Sequence, residues 1–192
     1  MFKRPIQAGI TAVIMALLGF SPHISRGQPS TAAQVVTVTV APIVVMAVFG
    51  EPSPFIFNET TELTRMTDES SYYNLSTNLG GVVILAEIDA PMPEGIRLFL
   101  SGESTLGTSR GPIDISRTTN AREIITSIKP GLENGRRLHY EFRVEESAGE
   151  SPLQSRIVTL SVLNPMTGLA TRMAQTIFFE VDRKEILSPG ER

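Results

Sequence analysis

The 192-residue chain holds 17 Lys and Arg against 20 Asp and Glu, is 41% hydrophobic, and contains no cysteine. The missing cysteine excludes disulfides, thiolate metal sites and attachment through a lipidated cysteine. The acidic balance argues against nucleic acid as a partner, because phosphate backbones select basic surfaces.

The chain opens with Lys3 and Arg4, then an apolar run of 13 residues from Ala8 to Phe20. A basic start followed by such a run predicts a signal peptide over residues 1–27, cut after Gly27 or as late as Ala33. The run is shorter than the ~20 residues a helix needs to cross a bilayer. The expected product is therefore secreted, periplasmic or at the cell surface, with no direct membrane insertion after cleavage. Cleavage removes Lys3, Arg4, Arg26 and one of the two histidines, His23, so 17 less three leaves 14 basic groups against 20 acidic and a net charge of −6. Residues 28–34 read as a polar linker.

From Val35 the pattern changes to period-two alternation with β-branched residues, the mark of half-buried strands. Val36, Val38 and Val40 alternate with Thr37 and Thr39, and further strands are predicted at Ile43–Phe49 and Pro54–Phe57. Tyr72–Ser76 and Val82–Ile88 flank Asn78, Gly80 and Gly81, which reads as a hairpin. Ile96–Leu100, Ile113–Ile115, Leu138–Val144, Ile157–Leu163 and Thr176–Val181 follow, punctuated by turns such as Pro93-Glu94-Gly95 and Asn164-Pro165. One segment departs from the alternation. Asn120 is followed by Glu123, then by Ile124, Ile125 and Ile128 before Pro130-Gly131, which predicts a short helix near 120–128. The predicted fold is all-β, an immunoglobulin-like two-sheet sandwich of Greek-key type over residues 35–186. Residues 187–192 are expected to form a flexible tail.

Catalytic material is sparse. His139 alone remains after signal removal, and alternation turns Leu138, Tyr140, Phe142 and Val144 inward and His139 outward beside Glu141 and Arg143. One histidine without cysteine builds neither a Cys/His pair nor a structural zinc site of the usual ligands. A triad of His139 with Asp68, Asp89, Asp114 or Asp182 lacks a serine in a nucleophile-elbow context. Glu145, Glu146 and Glu150 read as a solvated loop, and no spaced Asp/Asn loop for calcium is present. Gly102–Gly111 lacks the Lys-Ser/Thr ending of a phosphate cradle and reads as a flexible loop. Asn58-Glu59-Thr60 and Asn74-Leu75-Ser76 match the short glycosylation pattern. No catalytic, metal or cofactor residues are assigned.

The amino-terminal alternation suggests another role. Val36, Val38 and Val40 form either the first strand of their own sheet or a strand that completes a neighbour's sandwich by strand addition.

The signal peptide, the Val36–Pro42 opening (VTVTVAP), the Tyr72–Asn78 stretch (YYNLSTN) and the Arg156–Val162 strand (RIVTLSV) together resemble bacterial secreted and fimbrial-type β-sandwich surface proteins. The resemblance implies a non-enzymatic structural or adhesive role, with the chain itself or another surface protein as partner. The closing Phe178-Phe179-Glu180-Val181 lacks the terminal signature of many chaperone-assembled pilins, and no functional residue is carried over. The alternative expectation is a secreted binding module for a glycan or protein ligand, working through the Gly102–Gly111 and Glu145–Pro152 loops.

Overall fold

The computed structural model describes residues 36–58, 64–117 and 120–182. The signal peptide, the 28–34 linker and the 187–192 tail all lie outside these residues. The chain divides into two units, Met1–Ala41 and Pro42–Arg192. Of the first unit only residues 36–41 are described. They belong to no strand, and Val36, Val38 and Val40 are 71%, 77% and 68% exposed. The strand expected there is thus not formed within the chain's own described structure, and the strand order begins at Val44.

The second unit is all-β among its described residues: β1 (Val44–Phe49), β2 (Phe55–Phe57), β3 (Arg65–Asp68), β4 (Tyr72–Thr77), β5 (Val82–Ile88), β6 (Ile96–Gly102), β7 (Thr108–Ser109), β8 (Ile113–Asp114), β9 (Arg122–Ile128), β10 (Gly131–Val144), β11 (Ser151–Leu163) and β12 (Ala170–Val181). One sheet runs β1-β4-β10-β6-β8, with β3 also paired to β10, and the other runs β2-β12-β11-β5-β9-β7. Among the described residues only β2, parallel to β12, departs from antiparallel pairing.

Alternation places the core. The first sheet turns Tyr73, Leu75, Leu98, Leu100, Tyr140 and Phe142 inward, and the second answers with Phe55, Ile84, Val158, Leu160, Ile177 and Phe179. Phe142 lies at the centre, its ring 5.1, 5.7 and 5.2 Å from those of Phe55, Phe57 and Phe179. A polar link crosses beside it. The Tyr140 hydroxyl donates to Gln175 Oε1 at 2.6 Å, and Gln175 Nε2 donates to Gly50 O and Ser71 Oγ at 2.9 and 3.0 Å. These partners meet the requirement that buried polar groups be hydrogen-bonded.

Two expectations are corrected. The predicted helix near 120–128 is strand β9. Ile124, Ile125 and Ile128 are all buried, but two register shifts against β5 bring neighbouring residues to the same side. A bulged strand thereby imitates helical spacing, and its β-branched isoleucines favour the strand. Ser127 sits within this irregularity at φ 56°.

The predicted Tyr72–Ile88 hairpin is not one. β4 pairs with β1 and β10, whereas β5 pairs with β11 and β9 in the opposite sheet. The Asn78–Gly81 turn, with Gly81 at φ 72°, carries the chain from one sheet to the other. Alternation identifies the buried face of a strand but not the strand beside it. The long hairpin is instead β11–β12, closed by Asn164, whose side chain accepts from the amides of Met166 and Thr167.

Candidate functional site

The two loops expected to bind a ligand are each packed onto the sandwich. In the Gly102–Gly111 stretch, Ser104–Gly107 closes around Glu133 of β10, a carboxylate with no exposed surface. Five donors meet it: the amides of Thr105 and Leu106 and the hydroxyls of Ser104, Thr105 and Tyr73. Burial pushes the Glu133 carboxyl upward, but the hydrogen bonds from Leu106, Thr105, Ser104 and Tyr73 outweigh it and hold the group below its ordinary value. Burial beside Glu133 raises the Tyr73 hydroxyl strongly. This part of the stretch is pinned rather than flexible.

The loop after β10 is held differently. Ala148 is buried against Gly95, where an added Cβ would lie 2.6 Å from Ala148 backbone atoms, and the Glu145 amide donates to Gly95 O at 2.8 Å. In the β6–β10 ladder Leu138 faces Gly102 and Val144 faces Ile96. The loops therefore leave opposite ends of that ladder, ~20 Å apart at 3.4 Å per residue, and do not form one composite site.

Leu138, Tyr140, Phe142 and Val144 point inward and His139 outward, as the alternation indicates. His139 is held by carboxylates on both ring nitrogens, with Nδ1 3.0 Å from Glu69 and Nε2 3.4 Å from Glu103. Glu69 also pairs with Arg137, and His139 with Arg137 holds its carboxyl below the ordinary value. Three of the four candidate triad aspartates are engaged elsewhere: Asp68 with Ser70, Asp114 with Ser116 and Arg97, and Asp89 with the Ile157 amide. No group of three or more metal-ligating side chains occurs among the described residues. Of the two glycosylation matches, Asn74 lies in β4 with its side-chain oxygen accepting the Gly135 amide at 2.7 Å, while Glu59 and Thr60 fall outside the described residues.

The outer face of the first sheet holds a constellation that sequence reasoning missed. Arg143 of β10 stands directly opposite Arg65 of β3 on one side and Arg97 of β6 on the other. Three arginines thus form one row across three strands, with side chains 60%, 46% and 36% exposed at Arg65, Arg143 and Arg97. Glu141, a buried carboxylate in the adjacent row, receives Arg65 Nη2 at 2.7 Å and Arg143 Nε. Arg97 pairs with Asp114 at 3.0 Å and Glu145 at 2.9 Å. The Arg143 guanidinium lies over the Phe99 ring at 4.2 Å. Asp114 is pushed up by burial but held below its ordinary value by Ser116 and Arg97. In sequence the arginines stand far apart at 65, 97 and 143, so no basic run reveals them. Only the strand register does.

No known family model matches the chain, and no curated protein is similar to it in sequence. Solved structures give distant likenesses. The YadV chaperone shares 11% identity at a TM-score of 0.32, over 73% of this chain, which spans about half, 53%, of that one. AggA, the major subunit of aggregative adherence fimbriae type I from Escherichia coli, shares 14% at 0.36, over 76% of this chain and 98% of its own. AvmM, which catalyses macrocyclization in alchivemycin A biosynthesis, shares 8% at 0.36, over 74% of this chain and 92% of its own. A chaperone, a fimbrial subunit and a catalyst share this level of likeness, so it assigns no activity.

Proposed function

We propose that the chain is a secreted, non-enzymatic structural or adhesive protein of the bacterial surface or periplasm, built as a fimbrial-type subunit on an immunoglobulin-like Greek-key sandwich. The observation that carries this reading is the exposed Val36-Thr37-Val38-Thr39-Val40 segment, which has a strand's alternation but lies in no strand of its own chain. Exposed valines at period two favour an edge that offers unpaired backbone groups. The second unit supplies one. β12 is paired along its whole length by β11, but on its other side only at Phe179–Val181, by β2. Among the described residues Ala170–Phe178 has no ladder partner on that side, where β1 lies alongside and Val44 O accepts from Thr171 Oγ1 at 3.1 Å, so a strand from a second copy can add there by displacing β1. The sheet orders support the Greek-key reading, since β4→β5 and β10→β11 both cross between sheets.

Deleting Gln34–Val40 tests the proposal. The full chain should form assemblies by size-exclusion chromatography with light scattering, and the deleted chain should be a folded monomer. A monomeric full chain that unfolds on the same deletion overturns strand exchange and assigns the segment to its own domain.

A second reading, a binding module for a glycan or protein ligand, is favoured by one observation: the three-arginine row on the outer face of the first sheet.

A further inference from the structure

The row Arg65, Arg143 and Arg97 sets like charges directly opposite one another across neighbouring strands, an arrangement that destabilises a sheet unless something compensates it. Glu141, Asp114 and Glu145 supply three carboxylates and balance the charge. They do not use all of the donors. Arg143 gives only Nε to Glu141, and its two Nη groups have no hydrogen-bond partner among the described residues. Arg65 likewise gives only Nη2. The centre of the row is therefore a planar fork, fixed in orientation by Phe99 beneath it and Glu141 beside it, with its outer edge unused. That is the geometry with which arginine binds an oxyanion in bidentate fashion.

We propose that this row binds the oxyanions of an acidic polysaccharide, either uronate carboxylates or sulfate esters, with Arg143 at its centre. Arg65 and Arg97 stand one strand to either side, so the row spans ~10 Å and can meet charged groups on successive sugars. Each contact is weak, and linkage along a polymer multiplies them. A nucleic acid fits less well. Phe99, the aromatic ring of the row, is covered by Arg143 and offers no face for base stacking. The site is independent of strand exchange, because β3, β6 and β10 lie in the sheet opposite β12.

The test measures binding of the full secreted chain to polygalacturonate, to heparin and to a single-stranded oligonucleotide at moderate salt. We expect binding to at least one polysaccharide; polygalacturonate alone would identify carboxylates, and heparin alone sulfates. Arg143→Gln should weaken it at least tenfold and Arg65→Gln severalfold. Arg143→Lys should also weaken it severalfold, because the charge stays but the fork is lost. Arg122→Gln, an exposed arginine on the other sheet, should leave binding unchanged. Thermal unfolding of each variant separates lost binding from lost fold, and if Arg143→Gln fails to fold, Arg65→Gln decides. Failure to bind either polysaccharide, equal loss with Arg122→Gln, or equally tight binding of the oligonucleotide overturns the proposal.

Discussion

Two stretches of this chain share one pattern and meet different fates. Val36–Val40 and Val158–Val162 each alternate apolar residues with Thr or Ser, yet Val158, Leu160 and Val162 are buried while Val36, Val38 and Val40 are exposed. The difference lies in what stands beside them. Val158–Val162 has β5 on one side and β12 on the other, and a facing sheet to bury its apolar side. Val36–Val40 has no strand partner among the described residues. Alternation confers the capacity to be a strand, and neighbours realise it.

The largest expected contrast between these regions comes from the core. Phe142→Ala, among three aromatic rings, should cost ~3–5 kcal/mol in urea unfolding through lost burial and a residual cavity. Glu133→Gln should come next at ~2–3 kcal/mol, because the amides and hydroxyls gathered on the carboxylate lose a charged acceptor. Limited proteolysis should then cut near Ser104–Gly107, where the parent protein should resist cleavage.

Acid titration probes the same groups. The carboxyls of Glu133 and Asp114 lie below their ordinary values of 4.5 and 3.8 in the folded chain, so the unfolded chain binds protons first as pH falls. Their contribution is complete above those values and is lost as pH drops through and below them. Urea midpoints should therefore be flat from neutral pH down to about 5 with respect to these groups, then fall, and the Glu133→Gln variant should fall less steeply. A midpoint rising on acidification would break this account.

Smaller effects follow. Ser127→Gly should stabilise by a few tenths of a kcal/mol, since relief of ~1–2 kcal/mol from the left-handed conformation is opposed by ~0.5–1 kcal/mol of chain entropy. Val38→Ala should move the unfolding midpoint least, within ~0.5 kcal/mol as for other exposed sites. If Val36–Val40 adds to a second copy, that same change should still weaken assembly. A large loss of monomer stability from Val38→Ala would instead place the segment in its own core.

Much of the fold was legible. Nine strands lie at or close to where alternation puts them, and the inward set Leu138, Tyr140, Phe142 and Val144 is buried as the pattern requires. The exceptions are physical. β3 and β7 are too short and polar to show a period, and β9 imitates a helix because a bulge brings Ile124 and Ile125 together. The site was less legible. Glu133 lies in β10 with exposed residues on either side, and only the loop folding over it reveals its burial.

The sequence by itself determined the class of the protein: an all-β chain whose strands announce their buried faces, because side-chain alternation is a local property of extended backbone. Tertiary structure alone decided which strands became neighbours, since pairing depends on register between distant segments. Register turned the Asn78–Gly81 turn into a crossing between sheets and brought arginines 65, 97 and 143 into one row.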